Sequence, residues 1–98
     1  MDTNTLLERH AKLLSAMANE KRLQILTLIS EQELGVGELA LKVGLSQSAL
    51  SQHLAKLRAD ELVVTRRSSQ NIYYSTSHPG VRNILMSLES MQSEPEAE

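Results

Sequence analysis

The chain has 98 residues, a formal net charge of −2, two Tyr, no Phe, no Trp and no cysteine. That length holds one domain with little room for a second core, and the missing cysteines exclude disulfides, thiolate metal sites and thiol redox sensing. No apolar run approaches the roughly 18 residues that a membrane span requires, and MDTNTLLERH lacks the basic-then-apolar layout of a secretion signal, so a cytoplasmic location is expected.

A first helix is predicted from about Thr3 to Met17, with Leu6, Leu7, Leu13, Leu14 and Met17 on its apolar side. Ala18-Asn19 interrupts the pattern, and Asn19 can cap a second helix with Glu20 in its first turn. Leu23, Ile25, Leu26, Leu28 and Ile29 make that helix apolar around much of its girth, as expected of a central core helix. Glu31 to Leu34 is a connection that can hold one short strand.

Val36, Leu39, Ala40 and Val43 mark a short third helix starting near Gly37, and Gly44 suits the left-handed position at its end. A new helix begins two residues later, within LSQSALSQHLAKLR (residues 45–58). Helix, tight glycine turn and helix form a helix-turn-helix.

This fourth helix carries the most information. Leu50, Leu54 and Leu57 recur at i, i+4 and i+7 and form a stripe that must bury. At about 100° per residue, Ser48, Gln52 and Lys56 fall opposite, flanked by Ala49, Ser51 and Ala55. An ordinary solvated face carries Glu and Lys instead. Small neutral side chains with amides and hydroxyls suit a major groove. Gln pairs bidentately with adenine, Ser bonds either base edge, and Ala meets a thymine methyl. The bland alternative is a polar surface helix without a ligand. Ser46 is a good N-cap, Leu45 can staple onto Leu50, and Gln47 sits at the first helical position, from which a side chain projects past the helix end.

After Arg58 the period changes. Leu62–Arg67 and Ile72–Ser75 read as a two-stranded hairpin with a polar tip at Ser68-Ser69-Gln70-Asn71. Of Tyr73 and Tyr74, one is expected to pack inward and the other to bond through its hydroxyl. His78-Pro79-Gly80 ends the hairpin, with His78 as a turn or cap residue and Pro79 in the first turn of a last helix. Val81, Ile84, Leu85, Leu88 and Met91 form a stripe on that helix. The division is one domain over residues 1–91 and an acidic, disordered tail over 92–98.

Helix-turn-helix plus an Arg-bearing hairpin is the winged arrangement: a mainly α (α+β) fold with a two-stranded wing and dimerising N- and C-terminal helices. Charge distribution supports a nucleic-acid partner despite the negative total. The last ten residues hold four Glu and no base, whereas residues 42–88 carry six bases against Asp60 and Glu61, a balance of +4. Lys56, Arg58, Arg66 and Arg67 are the phosphate-side candidates.

The winged core is complete without the end helices. Pairing them across a two-fold axis would bury Leu6, Leu13, Leu14, Met17, Val81, Ile84, Leu85, Leu88 and Met91. Such a homodimer sets two reading helices about one DNA turn apart, matched to a pseudo-palindromic operator. The other possibility is that the end helices pack back on their own core.

Three blocks, LSAMANEKRLQIL, VGELALKVGLSQSALSQHLAKLR and LVVTRRSSQNIYYS, resemble the ArsR/SmtB family of dimeric bacterial repressors, and within it the type lacking metal-site cysteines. The resemblance covers roughly residues 10–90. It implies dimerisation through the first and last helices and double-stranded DNA as partner. It also implies operator contacts from Gln47, Ser48, Ser51, Gln52 and His53, and wing contacts near Arg66 to Asn71, Ser69 and Gln70 among them. His53 lies nearer the core stripe than Gln52, so a packed, hydrogen-bonded histidine is the alternative there. Where metal-sensing members place cysteines this chain has Gly35 and Gly37, and its last helix region offers His78 and Glu89 without the Asp and second His of the other family site. No metal and no cofactor is therefore expected.

Nothing supports catalysis: no Gly-x-Ser-x-Gly elbow, no phosphate-binding glycine loop and no cluster of His with carboxylates. The expected function is a dimeric, sequence-specific transcriptional repressor. The alternatives are a winged protein-interaction module, or an anti-repressor that activates by displacing another DNA-bound protein.

Overall fold

The computed structural model describes residues 2–93. These form α1 (Thr3–Met17), α2 (Glu20–Glu31), β1 (Leu34–Gly35), α3 (Val36–Val43), α4 (Gln47–Ala59), β2 (Val64–Ser68), β3 (Asn71–Ser75) and α5 (Pro79–Ser93). Each full-length helix starts on a side chain that accepts from an otherwise orphaned backbone N–H. Asp2 accepts from Thr5 at 2.8 Å, Asn19 from Arg22 at 3.0 Å and Ser46 from Ala49 at 3.1 Å. For α5 the acceptor is Nδ1 of His78, which takes the N–H of Gly80 at 3.0 Å and of Val81 at 3.4 Å. α5 runs two residues beyond Met91. The rest of the expected acidic tail, residues 94–98, lies outside the described residues.

Ile25, Leu26 and Ile29 of α2 are fully buried and form the centre of the core. Leu39 and Val43 of α3, Leu50, Leu54 and Leu57 of α4, Leu62, Tyr74 and Val81 close around them. With neither Phe nor Trp in the chain, this core is almost wholly aliphatic.

Two sharp helix ends aim α4. Gly44 has φ 69°, and the N–H of Leu45 reaches back to the carbonyl of Ala40 at 3.1 Å while that of Gly44 reaches Leu41 at 3.4 Å. This paired pattern ends a helix on a left-handed residue. The far end of α4 repeats it. Leu62 N–H bonds Leu57 and Glu61 N–H bonds Arg58, both at 3.0 Å, but the left-handed residue is Glu61 at φ 59°.

The wing is part of a three-stranded antiparallel sheet of order β1-β3-β2, not a two-stranded hairpin alone. Leu34 pairs with Tyr74 and Gly35 with Tyr73, giving β3 a partner on its second edge. A strand of two residues has no periodicity to detect, so only its tertiary partner defines it. The exit from the sheet is pinned by buried Thr76, whose hydroxyl donates to the carbonyl of Leu62 at 2.6 Å and whose N–H donates to that of Ile29 at 3.3 Å.

α1 and α5 pack against each other. Of the nine residues expected at a dimer interface, Met17 and Val81 belong to the chain's own core at 2% and 0% exposure. They lie beneath any interface, because the capped start of α5 and the end of α1 turn inward there. Leu13, Ile84 and Leu85 are half-buried against that core. Leu6, Leu14, Leu88 and Met91 remain exposed, and Leu7 and Met86 join them.

Candidate nucleic-acid interface

α4 buries its leucine stripe and presents the opposite side outward. Gln47, Ser48, Ser51, Gln52, Ala55 and Lys56 are all exposed, whereas Ala49 is half-buried. The side chains of Gln47, Ser48, Ser51 and Gln52 make no hydrogen bond among the described residues. A row of unspent donors and acceptors with no acid among them is what a base edge requires. The Ser46 cap occupies the N–H of Ala49, so the helix start is rigid where Gln47 projects.

His53 stands apart from that row. It is half-buried, with Nδ1 3.4 Å from Nη1 of Arg22. Arg22 in turn donates through Nε to the carbonyl of Ala16 at 2.6 Å and through Nη2 to that of Ser15 at 3.4 Å. Of the two roles left open by the sequence, the contact found is the packed one. Arg22 is the residue missed by sequence reading, because its partners lie on two other helices.

The four basic candidates differ in what holds them. Lys56 pairs with Asp60 at 3.1 Å, and Lys12 of α1 approaches the same carboxylate at 3.8 Å. Arg58 donates to the hydroxyl of Tyr74 at 3.5 Å. Tyr74 therefore combines both roles expected of the tyrosine pair: its ring is buried and its hydroxyl is bonded. Arg66 is held by Glu33, with Nε 3.0 and 3.1 Å from its two oxygens and Nη2 at 2.6 Å from one of them. Its guanidinium also lies 4.8 Å from the centroid of the Tyr73 ring. Hydrogen bonding from Arg66, reinforced by its charge, holds the Glu33 carboxyl below the ordinary value of 4.5, and Glu33 raises Arg66 in return. Arg67 has no hydrogen-bond or ion-pair partner among the described residues.

Ser69 and Gln70 form a two-residue tip between the paired ends Ser68 and Asn71, with φ 57° at Ser69. A positive φ at the first tip residue matches the twist of a tight hairpin. Gln70 and Gln47 both line an open cleft of about 560 Å³ between the wing, α3 and the start of α4, with Gly35, Gly37 and Tyr73 on its wall. The structure thus brings the wing tip and the start of α4 to one side of the molecule.

No group of three or more His, Asp or Glu that could hold a metal ion occurs among the described residues. Nor is any described helix long and apolar enough to cross a membrane.

Residues 19–65 match the model of the bacterial regulatory protein, arsR family. Nodulation protein NolR of Rhizobium meliloti is 63% identical over 78 residues, covering 80% of this chain and 64% of NolR. Transcriptional activator HlyU of Vibrio cholerae is 55% identical over 73 residues, covering 74% of this chain and 68% of HlyU. The chain belongs to the ArsR family. The crystal structure of NolR from Sinorhizobium fredii superimposes on this family member with a TM-score of 0.88 at 52% identity, covering 97% of both chains. A homodimeric winged helix-turn-helix DNA-binding domain from Mycobacterium bovis gives 0.81 at 30% identity, covering 93% of this chain and 84% of that one. This ArsR-family member is a winged helix-turn-helix transcriptional regulator and not an enzyme.

Proposed function

We propose that two copies of this regulator bind a pseudo-palindromic promoter operator and repress by occupying it. Each α4 enters a major groove and offers Gln47, Ser48, Ser51 and Gln52 to base edges, with His53 behind them orienting the helix. Lys56, Arg58, Arg67, Ser69 and Gln70 touch the backbone and set register. The carrying observation is the exposed face of α4, whose amides and hydroxyls have no partner among the described residues. Support for the pair of copies is the set of exposed apolar side chains on α1 and α5, including Leu14 at 53% and Met91 at 68%. The homodimeric relative from Mycobacterium bovis agrees with it. Such a regulator works in the cytoplasm and needs no metal.

Gel shift of genomic fragments followed by footprinting tests this reading. Two protected half-sites about one helical turn apart are expected. No retained fragment at low salt, together with a stable protein partner, would favour a winged protein-interaction module. Activation by displacing another DNA-bound protein is the second reading, favoured by the relative HlyU, a transcriptional activator. Mapped sites that overlap those of another regulator, and not the promoter itself, would select it.

A further inference from the structure

Gly35, Tyr73 and Arg66 occupy one row across the three strands, since Gly35 pairs with Tyr73 and Tyr73 with Arg66. The Tyr73 ring lies beside Gly35, its Cε1 3.5 Å from where a Cβ would sit, an ordinary van der Waals separation. Arg66 passes over that ring and reaches Glu33, two residues before Gly35. One side chain thus spans the sheet from β2, across β3, to the entry of β1. It does so on the face opposite Tyr74, whose ring is buried.

We propose that Arg66 is a positioning residue that clamps the wing to Glu33, and that Arg67, on the other face of β2, supplies the wing's arginine–phosphate contact alone. The second half rests on the DNA-binding reading above. The first does not.

Three observations converge. Nε and Nη2 of Arg66 are already engaged by a carboxylate in fork geometry, the strongest arrangement available to that side chain. A phosphate taking the same donors would have to displace Glu33 and then sit beside its negative charge. The Tyr73 ring adds a cation–π contact that fixes the guanidinium plane. Arg67 is spent on nothing within the described residues. The physical use of the clamp is pre-organisation. A hairpin held only by its own ladder can swing about its base, and ordering it on DNA would cost affinity. Tying β2 to the far strand removes that freedom before binding.

The clamp is tested first without DNA, by amide hydrogen exchange across residues 64–75. R66Q and E33Q are expected to raise exchange there by the same factor, about 3- to 5-fold as befits one well-formed surface ion pair. R66K is expected not to rescue it, because an ammonium lacks the fork, and R67Q is expected to leave it unchanged. Salt titration of binding to a random duplex then separates the arginines. R67Q lowers the slope of log K against log salt by about 0.9 per subunit, about 1.8 for the bound dimer, whereas R66Q leaves it unaltered. Unchanged exchange in R66Q and E33Q overturns the clamp. A slope loss in R66Q equal to that in R67Q overturns the division of labour. Wild-type protein that retains no duplex at low salt overturns the DNA reading and the role of Arg67 with it, while the clamp still stands or falls on exchange.

Discussion

Nη1 of Arg22 lies 3.4 Å from Nδ1 of His53, so a cation on α2 bridges α4 and the end of α1. A guanidinium only donates, so a hydrogen bond here has Nδ1 as the acceptor. A second link between the same two helices is the Asp60 carboxylate, which Lys12 of α1 approaches at 3.8 Å and Lys56 of α4 at 3.1 Å.

Arg22→Leu is expected to cost about 1.5–3 kcal/mol, since the carbonyl of Ala16 loses a charged donor in a part-buried place. Urea unfolding measures it. Binding to specific and random duplex should weaken together, because the helix is mis-seated while its contacts are kept. A loss confined to the specific site would contradict this role.

Gln52→Ala, and separately Gln47→Ala, should relax base preference at one operator position by about 1–3 kcal/mol with little effect on random DNA. The readout is the ratio of affinities for the operator and a single-position variant. Equal losses on both duplexes would remove these residues from base reading.

Glu61→Gly should stabilise the fold by about 1 kcal/mol, because φ 59° strains a residue with a Cβ. Gly44→Ala should destabilise it by a similar amount. A Cβ at Gly44 meets nothing within 4 Å, so its cost comes from the backbone at φ 69°. Thermal unfolding should shift by about 4–8 °C per kcal/mol in opposite directions for the two variants.

The wing clamp has a defined pH window. Glu33 is depressed below 4.5 by its hydrogen bonds from Arg66, so the contribution of the pair is complete above that value. It is lost as pH falls through the lower, folded-state value. Amide protection of β2 and β3, corrected for intrinsic exchange, should therefore be flat from pH 8 to 5 and decline only below 4.5. The decline should be absent in Glu33→Gln.

Leu14→Glu and Leu88→Glu should leave the subunit folded, as both side chains are exposed at 53% and 39%. Sedimentation velocity at micromolar concentration should show the dimer replaced by a single subunit, with operator affinity falling in parallel. A variant that still sediments as a dimer would place the interface elsewhere.

Much of this protein is written in local patterns. The span Thr3–Met17, the Asn19 and Ser46 caps, the left-handed Gly44 and the leucine stripe of α4 each depend on neighbours within about four residues, where periodicity and capping chemistry act directly. The polar outer face of α4 is legible for the same reason, since burying one side of a helix exposes the other. Tertiary structure alone decided which charges remain available. Glu33 and Arg66 lie 33 residues apart, and Arg22 and His53 lie 31 apart. Nothing in the spacing of either pair reveals that strand register or helix packing will bring them together. The same holds for β1, which exists only through its pairing with β3, and for Met17 and Val81, which share apolar stripes with surface residues yet turn into the core. A sequence shows which side chains share a face, but contact across a fold depends on how separate elements meet in space.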